Sequence, residues 1–190
     1  MIILESERLI IGNWNDRDRD LFFEINSDDR VMEFYPMRRN REEADLLFDR
    51  VRSMIAETNL GLYALELKDS GETIGYGSLA PANLEPYLPE GTVEVGWRLA
   101  TRFWGRGLVT EAGRALLRHG FTMLNLDEIV SFAVYNNHRS IAVMERIGLL
   151  RDEAGDFDHP RVPDTHPHLK RHVLYRLTRA SWLRQTPEPV

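Results

Sequence analysis

Cysteine is absent from all 190 residues, and that absence removes three kinds of chemistry at once. There is no disulfide framework, no thiolate-ligated zinc and no thiol nucleophile, so group transfer through an acyl-cysteine is excluded. Long apolar runs are missing as well. Charged residues make up 28% of the chain, and no segment approaches the roughly 18 apolar residues that a membrane span needs. The opening Met1-Ile2-Ile3-Leu4-Glu5-Ser6-Glu7 has no basic n-region and meets acids at once, unlike a secretory signal, so a cytoplasmic location is expected. Positive charge is in deficit: a net charge of -6 argues against a general nucleic-acid binder. No repeat, low-complexity tract or linker interrupts the sequence. Its length and 43% hydrophobic content fit one soluble domain over 1–190. A loose tail is expected over about 185–190, in Thr186-Pro187-Glu188-Pro189-Val190.

What the chain does contain is most concentrated between residues 92 and 124. Val93, Val95, Trp97 and Leu99 alternate with Glu94, Gly96 and Arg98, the period of a half-buried strand. Arg102-Phe103-Trp104-Gly105-Arg106-Gly107 follows as a turn whose glycines let the backbone approach a ligand. From Leu108 the spacing becomes helical, with Val109, Ala112, Leu116 and Gly120 on one stripe. A strand, a glycine turn and a helix start aim unpaired N–H groups and the positive helix end at one spot, which suits a phosphate. Two nucleotide sites can be tested against this pattern. A P-loop needs Lys-Ser or Lys-Thr where Leu108-Val109 stands. A dinucleotide fingerprint needs a small residue where Thr110 sits and an acid closing the next strand, whereas Asp127 and Glu128 precede it.

The flanking elements read as follows. A first strand includes Leu9-Ile10-Ile11 and ends near Trp14. Asn15 or Asp16 caps a helix carrying Leu21, Phe22 and Ile25, and Asn40 caps a longer one that ends near Asn59-Leu60-Gly61. Strands at 62–67 and 73–79 form a hairpin across Asp69-Ser70-Gly71. Prolines make 80–91 an irregular loop bearing Tyr87. Strand 129–134, a short helix closed by Gly148 and two closing strands joined by a polar, proline-containing stretch, the last of them at 173–177, complete the chain.

This order, with four separated stretches, resembles the GNAT N-acetyltransferases, and among them the ribosomal-protein alanine acetyltransferases. The stretches are Glu7-Arg8-Leu9-Ile10-Ile11, Glu94-Val95-Gly96-Trp97-Arg98-Leu99, Trp104-Gly105-Arg106-Gly107-Leu108-Val109-Thr110-Glu111-Ala112, and Asn137-His138-Arg139-Ser140 with Val143-Met144-Glu145-Arg146-Ile147-Gly148. The resemblance implies an α/β GNAT fold: a mixed central sheet of about six to seven strands, splayed in the middle, with flanking helices. It implies acetyl-CoA as cosubstrate, contacted by Trp97, Leu99, Arg102, Trp104, Gly105, Arg106, Gly107, Leu108 and Asn137. The partners implied are acetyl-CoA and an amine acceptor, either a peptide N-terminus or a small molecule. Self-association into a homodimer stays open, and neither nucleic acid nor membrane is expected.

Transfer from a thioester requires a neutral amine, so a base must take its proton, and Glu94 is the candidate. By resemblance Ser140 lies near the sulfur and can protonate the thiolate; many relatives carry a tyrosine four residues further on, and here this chain departs from them with Met144. A bulge at Gly96 would free main-chain groups for the cofactor and the oxyanion. Asn137 also suits a plain helix N-cap. Phe34, Tyr35 and Tyr87 are candidates to shape acceptor entry. His159, His166, His168 and His172 match no helical His-x-x-x-His spacing, so no metal is expected. A catalytically silent CoA-binding module is the rival reading.

Overall fold

The computed structural model describes residues 1–185. The expected loose tail at 186–190 lies outside the described residues. A hairpin of β1 (Ile2–Glu5) and β2 (Leu9–Gly12) opens the chain. Helices α1 (Arg19–Ser27) and α2 (Arg41–Thr58) follow. Then come β3 (Gly61–Leu67), β4 (Thr73–Pro81), β5 (Val93–Leu99), α3 (Leu108–Thr122), β6 (Glu128–Val134) and α4 (His138–Arg146). Strands β7 (Leu150–Asp158) and β8 (Arg171–Thr178) and a terminal helix α5 (Arg179–Gln185) finish it.

All strands join one eight-stranded sheet in the order β1-β2-β3-β4-β5-β6-β8-β7. This is one strand more than the upper expectation of seven. Every pairing is antiparallel except β5 with β6, which α3 connects as a crossover.

Local chemistry explains most boundaries. Asn40 accepts a hydrogen bond from Glu43 N–H at 2.9 Å while Glu43 reaches back to Asn40 N–H at 3.0 Å, a capping box that starts α2. Asn59 ends it in the left-handed region at φ 57°. Gly77 lies against Leu116 of α3, where a Cβ would come within 2.8 Å of the leucine. The adjacent Arg98 reaches Asn26 of α1 at 2.7 Å. Because Gly77 pairs with Trp97 and Tyr76 with Arg98, α3 covers the Trp97 face and α1 the Arg98 face. A main core with Trp14, Phe22 and Phe48 meeting edge to face or tilted at 5.0–5.8 Å spans α1, α2 and the sheet. A second cluster of Ala82, Leu84, Leu88, Val130, Phe157 and Leu174 covers the far part of the sheet. Among the described residues no helix is long and apolar enough to cross a membrane.

Strand β7 is the first of the two expected closing strands, and it runs on into the polar stretch. Its Asp152 and Asp156 carry no apolar alternation, yet Arg176 pairs with Asp152 at 2.6 Å and Glu128 at 2.8 Å, and Arg151 with Asp156 at 2.6 Å. Charge pairing, across β6, β8 and β7 by Arg176 and within β7 by Arg151, replaces burial there.

Candidate active site

Strands β5 and β6 are each seven residues long, yet their ladder holds one residue pair, Glu94 with Val130. Beyond Glu94 the two strands diverge. On its other edge β5 pairs with β4 without interruption from Gly75–Leu99 to Pro81–Val93, so the bulge expected at Gly96 is absent. The freed main-chain groups come from divergence on the β6 side, where extended amides of a ligand can pair with them. Glycine at 96 answers a close approach: a Cβ there would lie 2.9 Å from Ser78 Oγ on β4.

A cavity of about 190 Å³ opens along this divergence. It brings together Trp97, Leu99, Trp104, Asn137 and Ser140 with Phe34 and Tyr35. Trp104 is fixed by its Nε1–H donating to the Leu99 carbonyl at 3.0 Å, and the Arg139 guanidinium lies 4.5 Å from its ring centroid. Arg139 also pairs with Glu33, and Arg30 donates to Thr101 Oγ1 at 2.9 Å. These contacts tie the segment between α1 and α2 across the cavity mouth. Asn137 is the N-cap of α4, its Oδ1 accepting from Ser140 N–H at 3.2 Å. The cap leaves its NH2 free for a ligand. Met144 is fully buried in the core, so it takes no part.

The turn before α3 has the expected backbone. Gly105 and Gly107 lie at φ +73° and +75°, where any side chain is strained. Gly107 is the N-cap and offers no side-chain cap, so the first N–H groups of α3 remain open to an anion. Both glycines line a second, wider groove of about 1,100 Å³ together with Arg8, Glu111, Arg114 and Arg146. Leu108 is buried beneath this turn. Arg98, Arg102 and Arg106 do not gather into one basic strip. Arg98 turns inward, with its guanidinium 4.3 Å from the Tyr35 ring centroid and 5.4 Å from that of Tyr76. Arg102 pairs with Glu24 at 2.5 Å and Glu72 at 3.7 Å and lines neither cavity. Arg106 is exposed, its guanidinium 5.8 Å from the Phe103 ring centroid.

Glu94 stands on the α1 face at the point of divergence, half-buried and outside the lining of the smaller cavity. Burial raises its carboxyl from the ordinary value to about 7, with the Arg161 guanidinium pulling the other way. Arg161 is anchored by donating to the Asn83 carbonyl at 2.5 Å. Tyr87 does not reach the cavity; it stacks on Phe157 at 5.5 Å. His159 and His172 lie 4.8 Å apart among Phe132 and Phe157. Burial lowers both, His159 to about 4, so they are neutral members of an aromatic cluster. Arg98 and Arg139 line the cavity without standing out from the sequence, because their partners Asn26, Tyr35 and Glu33 are 63 to 106 positions away.

Comparison with known proteins decides the family. A family model described as Acetyltransferase (GNAT) domain matches residues 8–150, three quarters of the chain. The chain belongs to the GNAT acetyltransferase family. Among curated GNAT relatives, the uncharacterised N-acetyltransferase YnaD of Bacillus subtilis (strain 168) is 27% identical over 150 residues, covering 78% of this chain and 83% of its own. Two solved structures share the fold. RimL, a ribosomal L7/L12 alpha-N-protein acetyltransferase in complex with coenzyme A, superposes with a TM-score of 0.74 at 14% identity, covering 95% and 99% of the two chains. Aminoglycoside acetyltransferase AAC(6')-Ib, also in complex with coenzyme A, gives 0.73 at 20% identity, covering 93% and 98%. As a GNAT enzyme this chain is an acetyl-CoA-dependent N-acetyltransferase. The single-pair divergence, the cavity along it and the uncapped start of α3 fit an extended anionic cosubstrate.

Proposed function

We propose that this enzyme acetylates a primary amine by direct transfer in a ternary complex, with Glu94 as base and Ser140 as acid. The observation that carries the reading is the position of Glu94, a carboxylate of raised pKa at the last paired residue before β5 and β6 part. When bound, acetyl-CoA supplies the activated acetyl group. The main-chain groups of β5 beyond Glu94 hold its amide-bearing arm, and the N–H groups of 105–108 receive its pyrophosphate, that of Trp104 being used by the Thr101 carbonyl at 3.2 Å. Asn137 presents its free NH2 to the same arm, while Trp97, Leu99 and Trp104 keep water from it. Glu94 takes the proton that the acceptor nitrogen sheds as the C–N bond forms, directly or through one water. As the C–S bond breaks, Ser140 Oγ delivers a proton to the sulfur and recovers one from solvent. With no cysteine in the chain, no acyl-enzyme of that kind intervenes.

Phe34 and Tyr35 border the acceptor side of the cavity. The proposed acceptor is a protein N-terminal amine. The four stretches resembling ribosomal-protein alanine acetyltransferases support this. A panel of N-terminal peptides, polyamines, amino sugars and amino acids, read by thiol release from acetyl-CoA, tests the assignment. Turnover confined to the small molecules would refute it. For the base, Glu94→Gln is expected to lower kcat about 10²-fold or more and to abolish the acidic limb of the rate profile near pH 7. Unchanged kcat across pH with intact acetyl-CoA affinity would exclude Glu94.

A further inference from the structure

Two short motifs far apart in the chain meet behind the turn that leads into α3. Glu111 Oε1 accepts hydrogen bonds from Ser6 Oγ and from the Arg8 main-chain N–H, both at 2.7 Å, and Oε2 accepts from Arg8 Nε at 2.6 Å. Arg8 Nη1 in turn donates to the main-chain carbonyl of Arg106 at 3.1 Å. Its Nη2 lies over the next residue, 3.7 Å from where a Cβ of Gly107 would stand. Arg8 is itself held to the sheet, because its carbonyl accepts from Lys68 N–H at 2.9 Å, and the Ser6 N–H to Leu9 carbonyl bond at 2.9 Å closes its turn. The chain of contacts therefore runs from the β1–β2 hairpin, through one carboxylate, to a single peptide of the cofactor loop.

That peptide has a direction. A trans peptide is planar, so the Arg106 carbonyl and the Gly107 N–H point opposite ways. With the carbonyl turned to Arg8, the N–H faces the other side of the loop. Glycines at 105 and 107 leave the backbone free to rotate, so something outside the loop must choose the orientation. A purely structural salt bridge is a poor account, because the Arg8 side chain is 46% exposed while that of Glu111 is 15% exposed, and half-exposed pairs contribute little to stability.

We infer that Glu111 and Arg8 are positioning residues, which act through the Arg106–Gly107 peptide to aim a main-chain N–H at the pyrophosphate of acetyl-CoA. The inference rests on the proposed placement of that pyrophosphate at 105–108. Burial would raise the Glu111 carboxyl, but the hydrogen bonds from Ser6 and Arg8 outweigh it and hold it below the ordinary glutamate value. The brace thus stays ionised in neutral solution.

The test compares kcat/KM for acetyl-CoA with that for S-acetylpantetheine, which lacks the pyrophosphate and nucleotide, in the wild type, Glu111→Gln and Arg8→Met. Loss of one charge-assisted donor to the phosphates should lower kcat/KM for acetyl-CoA about tenfold or more through KM, with S-acetylpantetheine changing less than about twofold. The preference for the full cofactor would then collapse by the same factor. An equal loss with both thioesters, or no loss with either, overturns the inference. Arg8→Met keeps the Ser6–Glu111 hydrogen bond and carries the test if Glu111→Gln does not fold. A wild type without preference for acetyl-CoA overturns the pyrophosphate placement and the brace with it. A preference that both variants retain overturns the brace alone.

Discussion

Glu94→Gln should make the protein more stable in alkaline solution, and the size of the gain can be worked from the site. A carboxyl moved from 4.5 to about 7 by burial is bound to its proton more tightly in the folded than in the unfolded chain. Its contribution to stability is complete below pH 4.5, falls as pH rises, and is lost above the folded value. At 1.36 kcal/mol per unit the loss is on the order of 3 kcal/mol, trimmed toward ~2 kcal/mol by solvent reaching a half-buried group. Glutamine has nearly the shape of the protonated acid and does not titrate. The difference in Tm between Glu94→Gln and wild type should therefore be near zero at pH 4.5. It should climb to a plateau above pH 7, roughly 4–10 °C for a chain of this size. Thermal unfolding followed by tryptophan fluorescence over that pH range gives the curve directly. A pH-independent difference, or a variant less stable than wild type at pH 8, would refute both the burial of the charge and its use as a neutral-range base.

Three further outcomes follow from the same geometry. Ser140→Ala should lower kcat by about 10²-fold while leaving KM for acetyl-CoA nearly unchanged, since the hydroxyl is asked to act only as the sulfur departs; steady-state kinetics showing an unaltered kcat would remove the serine from the acid role. Gly96→Ala should cost about 1–3 kcal/mol through its clash with Ser78 Oγ. Adding Ser78→Ala should recover most of that loss in denaturant unfolding, and strict additivity of the two substitutions would count against the contact. Arg161→Met removes the cation that lowers the Glu94 carboxyl, so the acidic limb of the rate profile should move to higher pH. A limb that stays in place would show that Arg161 does not act on Glu94.

The elements nearest the cofactor were legible because their chemistry is local. The period-2 strand, the two glycines and the helical stripe over 92–124 lie in one continuous stretch, and Asn40 and Asn137 announce their helices through caps that span three residues. The length of β7 is not legible, because Asp152, Asp156 and Arg151 make sense only beside Arg176 and β8. The first strand was read as one piece where a hairpin forms, because pairing of Ile2 with Gly12 depends on a turn at Ser6-Glu7-Arg8 without glycine or proline. Helix α5 escaped because none of its residues is fully buried and Trp182 alone reaches the core, tilted 5.4 Å from Phe121. At the site, periodicity placed Glu94 on the right face but could not show where β5 and β6 part. Gly96 was assigned a bulge because sequence cannot distinguish a register shift from a small cross-strand neighbour. Arg102 carries the charge a phosphate needs, but its carboxylate partners Glu24 and Glu72 lie 78 and 30 positions away, where local sequence does not reveal them.

A sheet whose two central strands share one residue pair is a garment with a nearly open seam. The panel from β1 to β5 and the panel of β6, β8 and β7 are joined by that pair, by side chains packed between β5 and β6, by the cluster of Ala82, Leu84 and Leu88 on Val130 and Leu174, and by the α3 crossover. An elongated cosubstrate lying in that seam, as proposed, would supply the missing stitches, and its departure as free coenzyme would take them out again. Each turnover would then also be a cycle of mending and unpicking the sheet, with the protein most whole when it is holding what it is about to spend.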